Sequence, residues 1–482
     1  MEEKRKHGLR SPNRSLRLCF VSALLAVVLF AACSRPSAPE PAAGPPPNVV
    51  LIVLDAFRAD RIGAERNGLP LTPMLNRLTA ESLEFTRAAA SCSWTRPSMA
   101  SLFTSLYVDA HQVFYVAGRS KEDEQTADAL PDALETIAEW MKKGGYATLG
   151  IQTNANLTAE LGFAQGFDEY LFENDAKADW VTDRASERLA GLKQPYFLYA
   201  HFMDSHAPYD PPEAYRTTFG PLPAISAEEQ AVVDQSLPYV LDMFYHTVGA
   251  LDVRKFATLS PEGRETLAIR YDAACRFMDD QLTELLARIE RETPNTLVVI
   301  LADHGEEFWE HGSLGHGGSL YEEQIAVPFF IHGPGIQPRQ EANPVSTVHL
   351  LPTLAAYLKR PPEPNWQGQD LLKGYAPDMP VFAKRPASAP LEHLCMEMAR
   401  VGTMKLIVHP ATGQEELFDL AADPRETNNL AAAQPDATAR MRSLLTQHLK
   451  DNRNHRQGGR SEVRLSPELR EQQRRIGYGK QE

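Results

Sequence analysis

Asn48-Val-Val-Leu-Ile-Val-Leu54 is an unbroken apolar and β-branched run, the pattern of a strand buried on both faces of a parallel sheet. Similar runs return at Tyr196–Ala200, Thr296–Leu301 and Val327–Ile331. Helical periodicity fills the intervals over 72–82, 130–143, 178–192 and 269–291. Strands alternating with helices predict an α/β fold with a doubly wound, mostly parallel sheet flanked by helices. In such a sheet ligands gather at the carboxyl ends of the strands. Asp55, His201 and Asp303 each follow one of these runs directly, so three strand ends are expected to bring ionisable groups to one rim.

From about Pro380 the pattern changes. Short strands are expected at Leu394–Met398, Thr403–Val408 and Glu416–Leu420, followed by a helix near Asp436–Leu449, which predicts a small C-terminal antiparallel sheet plus helix. The chain thus divides into a signal peptide (1–32), a Pro-rich tether (33–47), a catalytic domain (48–380), a C-terminal subdomain (381–450) and a charged, partly extended tail (451–482). Basic residues precede the apolar stretch Leu18–Ala32, which is short for a membrane span. Leu29-Phe-Ala-Ala-Cys33 resembles a bacterial lipobox, so Cys33 is expected to carry a lipid anchor to the membrane. The chain would then be a periplasmic or outer-membrane lipoprotein, or sit at the cell surface. An ordinary signal peptide or an anchor helix is the alternative.

Beyond Cys33 only Cys92, Cys275 and Cys395 remain, with no CxxC spacing, so stability must come mainly from the core and at most one disulfide can form. The formal charge of −14 repels phosphate backbones and argues against a nucleic-acid partner.

Ala302-Asp303-His304-Gly305-Glu306 places a hard oxygen and an imidazole at a strand end, a pairing suited to Mn²⁺ or Zn²⁺. His311 and His316 lie in a glycine-rich loop able to set an imidazole beside a substrate; an exposed surface turn is the competing reading. Asp55 could ligate a metal or cap the next helix. Thr95 opens a turn-to-helix segment, where a hydroxyl is either a cap or a nucleophile aided by the helix dipole.

Together these segments resemble the sulfatase family, within the wider alkaline-phosphatase superfamily. The likeness runs from about Asn48 to Tyr478. It includes Asp55-Ala-Phe-Arg-Ala-Asp60, Leu71-Thr-Pro-Met-Leu-Asn76, Thr95-Arg-Pro-Ser98, Thr153-Asn154 and Gly162-Phe-Ala-Gln-Gly-Phe167. It continues with His201-Phe-Met-Asp204-Ser-His206-Ala-Pro-Tyr209, Asp303-His304-Gly305-Glu306, His316, Gly333-Pro334-Gly335 and the C-terminal Asp423-Pro424-x-Glu426-x-Asn428. The resemblance implies that Asp55, Asp303, His304 and Thr95 hold one divalent metal ion, with Thr95 as nucleophile. It also implies that His206 and His316 meet the anionic oxygens or protonate the leaving group. Asn154, His201 and His311 are expected at the substrate.

Two departures bear on the chemistry. Typical sulfatases carry two adjacent aspartates after the first strand, where this chain has Asp55-Ala56. They also mature a Cys or Ser of a C-x-P-S-R motif to formylglycine, and Thr95-Arg-Pro-Ser-Met99 offers no such residue. One acid with Thr, Asp and His is instead similar to the ligand set of phosphoethanolamine and phosphoglycerol transferases. The metal is therefore expected to be Mn or Zn rather than Ca, and the activity a metal-dependent hydrolysis of sulfuric or phosphoric esters of small molecules, glycans or lipids. A phosphotransferase and a non-catalytic binding relic are the alternatives.

Overall fold

The computed structural model describes residues 44–114, 116–117, 126–234, 259–387, 394–456 and 459–476. The expected signal peptide and most of the tether lie outside them. The described residues from Pro47 onward form one compact unit.

Eight strands make the central sheet: β1 (Asn48–Leu54), β2 (Leu83–Phe85), β3 (Ala147–Gln152), β4 (Glu169–Phe172), β5 (Tyr196–Phe202), β6 (Thr296–Ala302), β7 (Phe329–His332) and β8 (Arg339–Glu341). Their order is β8-β2-β7-β6-β1-β5-β3-β4. From β6 to β4 every neighbouring pair is parallel, and β7 runs against both of its neighbours. All seven residues of β1 are buried, as its unbroken apolar run requires of a central strand. The expected strand at Val327–Ile331 divides at Pro328. Ala326–Val327 pairs with Ala88–Ala89, whereas β7 begins after the proline, which has no N–H for the ladder.

Two helix groups flank the sheet. One packs α1 (Pro73–Glu81) and α4 (Ala178–Leu189) against the long α5 (Pro261–Glu292); the other gathers α2 (Thr95–Thr104), α3 (Ile137–Lys143) and α6 (Leu350–Tyr357). The helix expected over 130–143 starts only at Ile137. A capping box sets that start, with the Thr136 hydroxyl accepting from Glu139 N and the Glu139 carboxylate accepting from Thr136 N. In contrast, α5 starts eight residues before the expected 269, because Ser260 caps Gly263 N and Pro261 fits the first turn.

The C-terminal sheet is antiparallel, formed by β9 (Val381–Arg385), β10 (Met396–Val401), β11 (Met404–His409) and β12 (Gln414–Asp419), and helix α7 (Pro435–Asn454) covers it. A buried ion cluster ties this sheet to the main body: Lys405 Nζ lies 2.9 Å from Glu322 and 2.8 Å from Glu426, and Arg400 reaches Glu322 at 3.0 Å.

The tail is more ordered than its charge suggests. Ser461–Arg464 pairs with Thr126–Ala129, and α8 (Pro467–Arg475) follows. Leu465, Leu469 and Ile476 are buried, which supplies the apolar anchoring that charge counting overlooks. Asn174 Nδ2 donates to Gln472 O at 3.2 Å and Gln473 Nε2 to Ala155 O at 3.4 Å, so the strap lies against the turn after β3. Cys92, Cys275 and Cys395 are free thiols.

Candidate active site

The register pairs Leu54 with Ala302, so Asp55 and Asp303 leave β1 and β6 side by side at the carboxyl edge. Each carboxylate spends one oxygen on the protein. Asp303 Oδ1 accepts from Ala56 N at 3.2 Å and His304 N at 2.9 Å. Asp55 Oδ2 accepts from Asn154 Nδ2 at 2.6 Å and faces His201 Nε2 at 2.9 Å. The other oxygens, Asp55 Oδ1 and Asp303 Oδ2, are buried and accept no hydrogen bond. Ala56 holds a left-handed φ of 53°, a strained conformation that Tyr271 secures by donating to Ala56 O at 2.9 Å.

His304 turns a lone pair toward these oxygens. Its Nδ1 donates to Gly305 O at 2.9 Å, which leaves Nε2 without a proton, 3.3 Å from Asp303 Oδ2 and 3.7 Å from Asp55 Oδ1. Burial first, then the neighbouring His316, holds the imidazole well below its ordinary pKa and keeps it neutral. Burial raises the Asp303 carboxyl well above the ordinary range, with Asp55 adding to it, whereas the His201 contact and nearby imidazoles outweigh burial at Asp55 and lower it. Two unsatisfied carboxylate oxygens and the unprotonated His304 Nε2 lie within 4.8 Å of one another, a donor set that fits a divalent cation.

Thr95 completes this group and is not a helix cap. It is the first residue of α2, whose N-cap is Trp94 with no side-chain cap, and its Oγ1 lies 3.1 Å from His304 Nε2. Ser98, one turn on, donates to Asp303 O at 2.6 Å and ties the helix to the strand end. The positive end of α2 therefore meets the Asp55–Asp303–His304 cluster.

Three imidazoles cluster here, with ring centroids 4.3 Å apart for His304 and His316 and 4.9 Å for His206 and His316. His206 Nδ1 donates to Ala207 O at 2.6 Å. His316 Nδ1 lies 3.1 Å from Glu306 Oε1. Burial pushes the Glu306 carboxyl well up and the His316 imidazole well down, so both groups favour their neutral forms.

The remaining expected residues divide. Asn154 holds Asp55, and its Oδ1 accepts from Asn156 N at 2.8 Å; Asn156 in turn accepts from Arg96 at 2.7 Å. His201 lies inside β5 rather than after it, wedged between Tyr199 Oη at 2.8 Å and Asp55, so it orients the carboxylate from behind. His311 is apart from the cluster. It stacks on Tyr321 at 3.6 Å and pairs with Glu323, which outweighs burial and raises it to about 9. Glu306 and Tyr199 gained no role from the sequence; only the two-residue spacing of Tyr199 and His201 on one strand face hinted at their contact.

A protein-family model described as Sulfatase matches residues 47–359. The chain is 24% identical over 429 residues to the Delta 4,5-hexuronate-2-O-sulfatase of Bacteroides thetaiotaomicron, covering 80% of this chain and 84% of that one. It is 23% identical over 513 residues to the multifunctional alkaline phosphatase superfamily protein PehA of Trinickia caryophylli, covering 87% and 98%. Among solved structures, the phosphonate monoester hydrolase of Agrobacterium radiobacter superposes with a TM-score of 0.65 at 20% identity, covering 87% of this chain and all of the other.

Proposed function

Since the chain belongs to the sulfatase family, we propose that it is a metal-dependent hydrolase of sulfate esters with Thr95 as its nucleophile. The observation that carries this reading is Thr95 Oγ1 at the N-terminus of α2, 3.1 Å from His304 Nε2, which itself faces two unsatisfied carboxylate oxygens. Asp55, Asp303 and His304 would hold the cation, and an imidazole nitrogen beside only two carboxylates favours Mn²⁺ or Zn²⁺ over Ca²⁺. A bound divalent cation lowers the pKa of an adjacent hydroxyl and neutralises charge on the transferred group. Thr95 Oγ1, its proton released to solvent, attacks the sulfur, the bond from sulfur to the alcohol oxygen breaks, and the leaving oxygen takes a proton from the Glu306–His316 pair. Water then attacks the sulfur of the Thr95 ester; one of its protons restores the Thr95 hydroxyl, the other returns to the Glu306–His316 pair, and sulfate leaves.

Thr95 also favours a second reading, hydrolysis of phosphate or phosphonate esters. Its carbinol carbon bears a methyl and no second hydroxyl, so the intermediate can be cleaved only by direct attack on the transferred group. PehA and the phosphonate monoester hydrolase are relatives with names in keeping with that chemistry. The test is initial rates on an aryl sulfate, an aryl phosphate monoester and diester, and an aryl phosphonate, each with Mn²⁺, Zn²⁺ or Ca²⁺. Sulfate turnover exceeding all others supports the first reading, and phosphoryl turnover exceeding sulfate supports the second. Absence of turnover on every ester with every metal rejects both.

A lipid anchor at Cys33 belongs to the same proposal and would place the enzyme at the periplasmic or outer face of a membrane. Among the described residues no helix is long and apolar enough to cross a membrane. Cys33→Ser should shift the protein from the membrane fraction to the soluble one or leave an uncleaved precursor. Unchanged fractionation and mass would remove the anchor.

A further inference from the structure

We infer that Gln324 is a positioning residue that fixes where His316 stands, an inference that rests on the ester-hydrolase reading above. His316 lies between two glycines with left-handed backbones, Gly315 at φ 98° and Gly317 at φ 75°. Such a turn has little stiffness of its own, so the placement of the imidazole depends on what holds the turn.

Gln324 holds it from one side. It is fully buried, in the one-turn helix Glu322–Ile325. Its Oε1 accepts from Gly318 N and Ser319 N, both at 3.1 Å, directly after the His316 turn. Its Nε2 donates to Glu307 Oε2 at 2.8 Å, and Glu307 Oε1 accepts from His311 N at 3.1 Å and Ser313 N at 2.8 Å. The main-chain oxygen of the same residue accepts from Gly305 N at 2.9 Å, in the turn that carries His304. One residue thus binds the segment after His316, the loop between Glu306 and His316, and the segment after His304.

The brace is itself rigid. A Cβ on Gly305 would come within 2.2 Å of Glu323 O, so the two segments are in close backbone contact. The adjacent Glu322 is fixed by Lys405 and Arg400 of the C-terminal sheet. An amide is the side chain this place requires, because it accepts from two N–H groups and donates to a carboxylate at once. A carboxylate at 324 would face Glu307 with no proton between them.

The test compares Gln324→Met, which keeps the volume and loses the three side-chain bonds, with the double variant Glu307→Gln/Gln324→Glu. The double variant exchanges donor and acceptor across the contact and keeps every bond. Measured are amide hydrogen exchange at Gly318 and Ser319, bound metal, and kcat and KM on 4-nitrophenyl sulfate or 4-nitrophenyl phosphate, whichever the wild type cleaves. Gln324→Met should speed exchange at both amides and lower kcat about a hundredfold, with KM and metal content unchanged, because an ångström of misplacement costs about that much. The double variant should recover kcat to within about tenfold of wild type, roughly 1.4 kcal/mol in barrier. If Gln324→Met does not fold, Gln324→Glu takes its place with the double variant as its rescue. Unchanged exchange, unchanged kcat, or a double variant no better than the single overturns the assignment. A wild type that cleaves neither of these, nor the aryl phosphate diester or phosphonate, overturns the hydrolase reading instead, and the exchange rates then decide the brace alone.

Discussion

Thr95→Ala is expected to lower turnover of any cleaved ester by about a thousandfold or more, while the protein stays folded. The stability side is nearly balanced. The variant loses one hydrogen bond to His304, worth about 1 kcal/mol, and gains helix propensity worth up to about 0.7 kcal/mol at the first residue of α2. No cap is lost, because Trp94 occupies that position and makes no side-chain cap bond. Thr95→Ser keeps the hydroxyl and should retain measurable activity. The checks are kcat on the best ester, the melting temperature, and the mass of a trapped Thr95 ester in a quenched reaction. A folded Thr95→Ala protein within about tenfold of wild type would show that water, not Thr95, is the nucleophile.

Asp303→Asn separates the metal from the scaffold. The Asn Oδ1 can still accept from Ala56 N and His304 N, so both turn contacts survive. What changes is the unsatisfied Oδ2, which becomes an amide nitrogen and cannot ligate a cation. Bound metal should fall from near one per chain to a small fraction, with affinity at least about a hundredfold weaker and turnover lost in parallel. Stability should move the opposite way in the metal-free protein. Burial and Asp55 raise the Asp303 carboxyl, so the wild-type fold is penalised as pH rises above the unfolded carboxyl's 3.8. The metal-free variant should therefore melt higher than metal-free wild type at neutral pH, with the gap closing below about pH 4. Added metal should stabilise wild type and leave the variant unmoved. Calorimetry across pH, with metal analysis, checks both signs.

Which parts of the site are legible in the sequence follows from how local their causes are. Asp55, Asp303 and His304 stand at the ends of apolar runs, and a doubly wound sheet sends such positions to its ligand-binding edge. His201 is the instructive exception. Whether the last polar residue of a run points over the rim or into the sheet depends on pleat parity and register, and the pairing of Val53 with His201 places it inside. His311 reads as a second loop imidazole until its stack on Tyr321 and its pairing with Glu323 are seen, contacts that no local pattern encodes. Thr95 is ambiguous in the sequence between cap and nucleophile, because both occupy helix starts; the direction of its Oγ1 toward His304 removes the cap. The order of the tail is hidden in the sequence for a simple reason. Three anchoring apolar residues among many charges give a weak periodic signal, although they are enough to seat a strand and a helix.

That tail also imposes an order on biosynthesis. Every candidate catalytic group precedes Gly317, whereas the strap that lies against the turn bearing Asn154 is made from the last described residues of the chain. A ribosome delivers the carboxylates, Thr95 and the imidazoles long before it delivers Gln473 and Ile476. The nascent chain therefore spends most of its synthesis with the wall behind Asn154 unbuilt.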